Sequence, residues 1–160
     1  MATESHFLDC AARRTRPVAT CLALLCGDGT WQEQVSELLQ SEEATMWDRL
    51  AWPGGPIVLC AEAARFREHH VARTSLAFLV ARHETRRIAL IAHDFCGHYA
   101  RLHPKLYAEQ IRALQRKHLS KALRNVVRWH PQINVGAFLM RGEVDGSCWV
   151  EKVPLMSSSS

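Results

Sequence analysis

"PVATCLALLCGDGT", residues 17–30, is the stretch that decides the fold. Its uninterrupted apolar run from Val18 to Cys26 is typical of a β-strand buried on both faces, as the strands of parallel sheets are. The glycine-rich "CGDGT" that follows predicts a tight turn, and Thr30 and Glu33 have the spacing of a box that caps a helix. A buried strand that leads through a short turn into a helix is the opening unit of an α/β fold.

Strands and helices continue to alternate along the rest of the chain, beginning after a turn at Pro53, Gly54 and Gly55. The expected elements are a strand at 56–60 ("PIVLC"), a helix at 63–83, a strand at Ile88–Ala92, a helical region at 101–130, a strand at 133–141 ("INVGAFLMR") and an edge strand at 148–155 ("CWVEKVPL"). This order predicts an α/β fold of three layers, with a mainly parallel central sheet of about five strands.

The helical region at 101–130 carries two apolar sets that do not share a face. The first is Leu102, Leu106, Ile111 and Leu114, and the second is Leu119, Leu123, Val126 and Val127. At 100° per residue the sets lie about half a turn apart, which predicts either a break near Gln115 to His118 or a helix buried on two sides. The basic residues from Arg112 to Arg128 change face in the same way, so we expect a solvated helix surface and not a nucleic-acid stripe.

Length and composition describe one compact domain. With 160 residues, 48% of them hydrophobic, the chain has enough apolar side chains for a good-sized core. We divide it into an N-terminal arm (1–16), expected to pack on another subunit, a single α/β domain (17–156) and a disordered serine tail (157–160). The net charge of +4 is small and spread along the chain, so we expect no nucleic-acid partner.

The apolar stretches are too short for a membrane protein. None reaches the roughly 18 to 20 residues that span a bilayer, so we expect no membrane partner. The six cysteines are scattered and we identify no secretory signal, which favours reduced thiols in a cytoplasmic protein. Each thiol is then either a metal ligand or an ordinary core or surface side chain, and we expect the second for Cys10, Cys21, Cys60 and Cys148.

Two short motifs fall where predicted parallel strands end. Cys26 and Asp28 follow the first strand, and His93 and Cys96 follow the strand at Ile88–Ala92. Ligands of parallel sheets bind at these carboxyl ends, and sulfur and imidazole nitrogen are the donors that zinc prefers. Cys26, His93 and Cys96 therefore form a candidate metal site, while Asp28 has the alternative role of a turn residue before a helix.

Four pieces of the sequence resemble the β-class carbonic anhydrases, and particularly their short bacterial and archaeal forms. "CGDGT" resembles the family's C-x-D-x-R motif and "HDFCG" (93–97) its H-x-x-C-G motif. "PGG" (53–55) resembles its glycine pair, and "TSLAFLVARHETRRIALIAH" (74–93) the helix and strand that lead into its active site. The resemblance covers about residues 17–100, and beyond that only the order of elements agrees.

The resemblance implies a set of site residues. Cys26, His93 and Cys96 would hold zinc, which makes the domain at 17–156 a zinc-binding one. Asp28 would be the catalytic aspartate beside the metal, and Gly54, Gly55 and Gly97 would line the substrate pocket.

The resemblance also implies an activity. The protein would be a carbonic anhydrase-like hydro-lyase that reversibly hydrates carbon dioxide to bicarbonate by zinc-bound hydroxide, because zinc lowers the pKa of bound water toward neutrality. The partners implied are this small-molecule substrate, or an analogue of it, and further copies of the chain in a homodimer or a larger homo-oligomer.

Thr30 departs from the family's motif, which has an arginine in that position. The arginine pairs with the aspartate and keeps it off the zinc, and threonine cannot form such a bidentate pair. Asp28 is then available as a fourth ligand, unless Arg49, Arg65 or an arginine of a partner subunit takes the role. Asp94 and Phe95, between His93 and Cys96, are a second departure that we interpret as minor.

These departures leave two alternatives to carbon dioxide hydration. One is a family relative that binds zinc through Cys26, Asp28, His93 and Cys96 without catalysis. The other is a hydrolase of a carbon dioxide analogue such as carbonyl sulfide or carbon disulfide.

Overall fold

The computed structural model of the chain describes residues 19–42 and 46–155. The predicted N-terminal arm (1–16), Val18 at the start of the first predicted strand, Cys10 and the serine tail (157–160) lie outside these residues. The division into arm, domain and tail stays a prediction. Within the described ranges, none of the helices combines the length and the apolar character that crossing a membrane requires.

Five strands and four α-helices make up the described part of the chain. The strands are β1 (Cys21–Cys26), β2 (Trp47–Trp52), β3 (Arg87–His93), β4 (Asn134–Gly142) and β5 (Cys148–Lys152). The helices are α1 (Gln32–Ser41), α2 (Phe66–Arg82), α3 (Gly97–Leu102) and α4 (Ala108–Trp129), and short 3-10 helices cover Gly29–Trp31 and Gly55–Leu59.

The strands form one sheet in the order β2-β1-β3-β4-β5. β1 to β4 pair in parallel, and β5 pairs antiparallel with β4 at the edge. The predicted α/β fold with a mainly parallel sheet of five strands is therefore confirmed. β1 and β3 are neighbours, and Leu25 pairs with Ile91, so Cys26 and His93 reach the same edge of the sheet.

Helices cover both faces of the sheet, which gives the predicted three layers. On one face, Val35, Leu38 and Leu39 of α1 pack against side chains of β1, β3 and β4. On the other face, Leu76 of α2 and Leu119 of α4 belong to the larger core cluster. Because both faces are covered, every residue of β1 is buried.

The predicted strand at 56–60 is wrong. Gly54 and Gly55 have positive φ angles of 78° and 61°, and Gly55 begins a buried 3-10 helix with Pro56 in its first turn. Its apolar residues pack against α2 and α4 instead of pairing in the sheet. The second strand is β2, whose half-buried "WDRLAW" lacks the continuous apolar character of a central strand because it lies at the other edge.

Of the two alternatives predicted for the helical region, the break near Gln115 to His118 is wrong, because α4 is continuous. Its buried face passes through Arg112, Gln115, Leu119 and Leu123, so the core-facing positions of its first half are polar. The apolar Ile111 and Leu114 pack to the side, against the cluster that contains Cys96. Arg112 is only 9% exposed, which corrects its assignment to a solvated surface.

Candidate metal centre

The ends of β1 and β3 bring three metal-binding side chains together. Cys26 is the last residue of β1, His93 is the last of β3, and Cys96 follows three residues later, directly before α3. Their ligand atoms all lie within 4.8 Å of one another, and all three residues are buried. The two sulfur atoms are 3.8 Å apart, and two sulfurs bound to one tetrahedral zinc ion at about 2.3 Å would lie about 3.8 Å apart.

The imidazole of His93 is oriented for metal binding. Its Nδ1 lies 2.7 Å from the backbone carbonyl oxygen of Asp94, to which it donates a hydrogen bond. This bond leaves the lone pair on Nε2, which is buried without a hydrogen-bond partner in the described part of the chain. A buried acceptor without a partner is costly, and a metal ion would supply one. The donor set therefore fits a zinc ion.

The surroundings favour the thiolate, which is the metal-binding form of cysteine, at Cys26 and disfavour it at Cys96. The hydrogen bond from the Cys96 thiol lowers the pKa of Cys26 in spite of burial, with help from the nearby imidazole of His93 and from the backbone amides of Asp28 and Gly54. The reverse effect, together with burial, raises the pKa of Cys96. The amides of Tyr99 and His98, in the first turn of α3, partly counter that rise by donating to the Cys96 sulfur.

Asp28 lies outside the group formed by the three ligands. Its Oδ1 accepts hydrogen bonds from the Thr30 amide over 3.0 Å and from the Thr30 hydroxyl over 2.9 Å. Asp28, and not Thr30, therefore caps the helical turn at Gly29–Trp31, which corrects the predicted capping box. These two hydrogen bonds lower the pKa of Asp28.

The arginine expected beside Asp28 has no counterpart within the described ranges. Arg49 donates instead to Gln32 and Ser36 of α1, and Arg65 is the N-cap residue of α2. The roles of Asp28 as catalytic residue or fourth ligand stay predictions.

The glycine pair lets the chain pass close to the ligand strands. A Cβ on Gly55 would lie 2.9 Å from the Ile91 carbonyl oxygen and 3.0 Å from the Cys26 amide nitrogen. A Cβ on Gly54 would lie 2.6 Å from the ring of His98. The close packing therefore requires glycine at both positions, independently of any role in a substrate pocket.

A cavity of about 320 Å³ adjoins Cys96. It is lined by Asp94, Phe95, Cys96, Ala100, Ala108, Ile111, Arg112 and Gln115, and not by Gly54, Gly55 or Gly97. A Cβ on Gly97 would meet no atom within 4 Å in the described part of the chain. The pocket role of these glycines stays a prediction.

Asp94 is a site residue that the sequence analysis undervalued. Its carboxylate is 2% exposed and accepts a hydrogen bond on each oxygen from Arg112 Nε, at 3.0 Å. Arg141 Nε and the Gly142 amide each donate to Oδ2 over 3.2 Å. Two guanidinium groups and a backbone amide thus hold the residue between His93 and Cys96.

Gln115 supports the same loop from α4. Its Nε2 donates to the backbone carbonyl oxygen of His93 over 2.7 Å. Together with Arg112 it occupies the buried face of the first half of α4. The half-turn shift between the two apolar sets of this helix indicates these two residues in the sequence. In the first half of the helix, polar side chains take the core-facing positions, so the apolar set is displaced to the side.

Comparisons with known proteins point to one fold. No protein-family model matches the chain, and no curated protein matches it. A β-carbonic anhydrase of Aspergillus fumigatus superposes with a TM-score of 0.58 at 8% identity, covering 88% of this chain and 77% of that one. A β-carbonic anhydrase of Trichomonas vaginalis gives 0.53 at 13% identity, covering 91% and 87%.

A third solved structure, one of two tetrameric β-carbonic anhydrases of Sordaria macrospora, gives a TM-score of 0.50 at 10% identity and covers 85% of this chain and 81% of that one. Likeness at such low identity concerns the arrangement of strands and helices. It agrees with the resemblance of the motifs that end β1 and β3. The chain has the fold of the β-carbonic anhydrases.

Proposed function

We propose that the protein is a zinc-dependent carbonic anhydrase-like hydro-lyase that interconverts carbon dioxide and bicarbonate. The observation that carries the proposal is the buried group of Cys26, His93 and Cys96, with a lone pair of His93 unpartnered, at the carboxyl edge of a β-carbonic anhydrase fold. A zinc ion held there would supply Lewis acidity and activate a water molecule. The chain itself holds the donors in place and controls the fourth position.

The position of Asp28 supports a site with three protein ligands. Catalytic zinc sites keep a position open beside three ligands, whereas structural sites are closed by a fourth. The amide and hydroxyl of Thr30 hold Asp28 Oδ1 outside the ligand group. Thr30 thus restrains Asp28 with neutral donors where the family motif uses an arginine, and Asp28 Oδ2 is the atom that we assign to accepting a proton from water.

The chemistry of the walls near the site supports a small, uncharged substrate. The cavity beside Cys96 has the apolar side chains of Phe95, Ala100 and Ile111 among its walls. Among the described residues that line it, the two charged ones, Asp94 and Arg112, bind each other. We assign the wall on the other side of Cys96 to Gly54, Gly55 and Gly97.

The exposed edge of the sheet supports a homodimer or a larger homo-oligomer. β5 is an edge strand, and its Trp149 and Val150 are 45% and 41% exposed. An apolar edge strand is a ready surface for pairing with another chain. The Sordaria macrospora relatives with this fold are tetrameric. We place the protein in the cytoplasm, in line with the free thiols of the described cysteines.

A second candidate function is zinc binding without catalysis. The observation that favours it is that Asp28 has a neutral partner, Thr30, and no arginine within the described ranges. Neutral hydrogen bonds at an exposed position are weaker than a bidentate ion pair. Asp28 would then be released more easily to close the site as a fourth ligand.

The experiment is stopped-flow hydration of carbon dioxide by protein whose zinc content is measured on the same sample, between about pH 6.5 and 9. We expect about one zinc per chain. Cys96→Ala should lose both zinc and turnover. Cys21→Ala is the matched control, because Cys21 is a buried residue of β1 outside the ligand group, and it should keep both.

Three results would contradict the proposal in different ways. A folded protein that binds no zinc would exclude the metal centre. Full zinc occupancy without turnover of carbon dioxide, carbonyl sulfide or carbon disulfide would favour the second candidate. Turnover of only the sulfur compounds would keep the metal centre and change the substrate.

A further inference from the structure

The loop between the metal ligands is fixed through Asp94. The carboxylate is clamped by Arg112 Nε at 3.0 Å on both oxygens and by Arg141 Nε at 3.2 Å on one. Both arginines are themselves largely buried, with side chains 11% and 13% exposed. The backbone amide of Asp94 also donates to the Met140 carbonyl over 2.8 Å. Asp94 therefore has little freedom to move.

The fixed residue is the one that orients the histidine ligand. The backbone carbonyl of Asp94 accepts the hydrogen bond from His93 Nδ1 that leaves Nε2 free for a metal. Because the carboxylate and this carbonyl belong to one residue, the clamp on the first limits rotation of the second. Gln115 holds the preceding carbonyl, that of His93, over 2.7 Å.

The next residue of the loop is strained. Phe95 has a φ of +56°, a left-handed conformation that costs a non-glycine residue roughly 1 to 2 kcal/mol. Such a conformation persists only where the neighbouring structure fixes it. On one side of Phe95 stands the clamped Asp94, and on the other stands Cys96, the N-cap residue of α3. The clamp thus also fixes the approach of Cys96.

The charges around Asp94 balance, so the cluster is not an anion-binding site. Its carboxylates are Asp94, Glu109 and Glu151, and its guanidinium groups are Arg112, Arg116 and Arg141. Arg141 is shared between Asp94 and Glu151, and Arg116 binds Glu151 with two hydrogen bonds. A buried ion pair of this kind gives little net stability over apolar packing. The ion pair of Asp94 therefore contributes mainly by fixing the position of the loop.

We propose that Arg112 is a positioning residue of the metal centre, which acts through the Asp94 carboxylate to hold His93 and Cys96 in their metal-binding arrangement, with Arg141 as the second clamp. This inference rests on the metal-binding part of the proposed function. It goes beyond it by assigning a role to residues of α4 and β4 that are not ligands. Partners that orient metal ligands typically change metal affinity roughly 10- to 100-fold when they are removed.

The test compares variants that remove or alter the clamp. Arg112→Met removes it, Arg112→Lys keeps the charge without the two-point contact, and Asp94→Asn keeps the backbone carbonyl without the charge. Arg116→Met is the matched control, because it removes an arginine of α4 that binds Glu151 and does not contact Asp94.

Two measurements on the full chain separate positioning from mere support of the fold. One is zinc affinity by competition with a chelator, and the other is the visible absorption spectrum of the cobalt-substituted protein, which reports ligand geometry. We expect Arg112→Met and Asp94→Asn each to lower the zinc affinity roughly 10-fold or more relative to the unmodified protein. Both variants should also have an altered cobalt spectrum. Arg116→Met should match the unmodified protein in both, even where its thermal stability falls.

A double variant tests whether Arg112 acts through Asp94. In the Asp94→Asn background, Arg112→Met should add less than about a further twofold loss of affinity, because the ion pair through which Arg112 acts is already broken. If the affinity loss of the double variant equals the product of the losses of the two single variants, Arg112 does not act through Asp94. If Arg112→Met does not fold, Arg112→Lys and Asp94→Asn give the same comparison.

The outcomes distinguish this inference from the function on which it rests. If the unmodified protein binds neither zinc nor cobalt, the metal centre is excluded and the inference with it. If the unmodified protein binds metal and the folded Arg112 and Asp94 variants bind it equally well with the same spectrum, only the inference is overturned.

Discussion

Thr30 holds Asp28 through two of its own groups, because its amide and its hydroxyl both donate to Asp28 Oδ1, over 3.0 Å and 2.9 Å. In the family motif an arginine stands in place of Thr30 and offers a charged fork instead. In this protein, Asp28 is therefore restrained by uncharged hydrogen-bond donors. Substitutions at residue 30 change this restraint without touching a metal ligand.

We predict that Thr30→Val raises the pKa of Asp28, since hydrogen bonds to a carboxylate favour its charged form and one of them is lost. Thr30→Ser is the matched control and should leave that pKa unchanged. The measurement is a carbon NMR titration of the Asp28 carboxyl group. Equal pKa values in the valine and serine variants would show that the hydroxyl does not restrain Asp28.

Thr30→Arg should raise carbon dioxide turnover relative to the unmodified protein at equal zinc content, because a charged bidentate partner holds Asp28 more firmly than neutral donors do. Thr30→Val should lower it. Stopped-flow assays of the three proteins at one pH give the comparison. Identical turnover in all three would mean that the position of Asp28 does not limit the reaction.

Gly55→Ala should destabilise the protein by about 3 kcal/mol or more, since the new Cβ would meet backbone atoms at a positive φ. Those atoms are the Ile91 carbonyl oxygen at 2.9 Å and the Cys26 amide nitrogen at 3.0 Å. Gly27→Ala is the control, because no atom lies within 4 Å of its Cβ position. Urea unfolding should place the control within about 0.5 kcal/mol of the unmodified protein, and a similar loss in both variants would contradict the close packing.

Glycine at position 95 should be more stable than alanine by about 1 kcal/mol, the reverse of the usual order, because the φ of +56° suits glycine. Phe95→Gly and Phe95→Ala both remove the aromatic ring, so their difference isolates the backbone. Thermal and urea unfolding of the two variants measure it. A more stable alanine variant would show that the turn is not strained.

His118 should make the protein less stable as the pH falls below about 6.5. Burial lowers its pKa to about 4, and the Tyr99 hydroxyl lies 3.0 Å from its Nδ1. The unfolded chain therefore binds a proton at a pH where the folded chain does not, so this stability is complete above about pH 6.5 and is lost as the pH falls toward 4. The loss is about 2 kcal/mol, allowing for the partial exposure of the ring.

The measurement is urea unfolding of the unmodified protein and of His118→Gln at about pH 7 and about pH 4.5. The difference between the two proteins cancels the contribution of the metal ligands to the pH dependence. Stability that falls by the same amount in both proteins would assign the effect to other groups.

The sequence predicts the structure correctly where the apolar pattern of a segment matches its burial in the fold. β1 and β3 are central strands, so burial on both faces makes them continuously apolar, and the motifs that end them locate the candidate ligands. "PIVLC" has the pattern of a central strand, because residues buried beneath two helices in a 3-10 turn are equally apolar. Local sequence does not distinguish these two environments.

The support of the site could not be predicted, because it depends on contacts between distant parts of the chain. Arg112 lies 18 residues from Asp94, and Arg141 lies 47 residues from it. In sequence, Arg112 is one of several basic residues on a long helix. Only the fold shows that it faces the core and Asp94 while Arg116 faces Glu151.

Cys26 and Cys96 are 70 residues apart in the chain, although their sulfur atoms lie 3.8 Å apart. An ion bound to both would join β1 to the start of α3 as a removable cross-link. By the chain-entropy argument used for disulfides, closing a loop of this length lowers the entropy of the unfolded chain by an amount equivalent to about 4 kcal/mol. The melting temperature would then rise with free metal concentration, and a chelator would open both the site and the loop that contains β2 and α2.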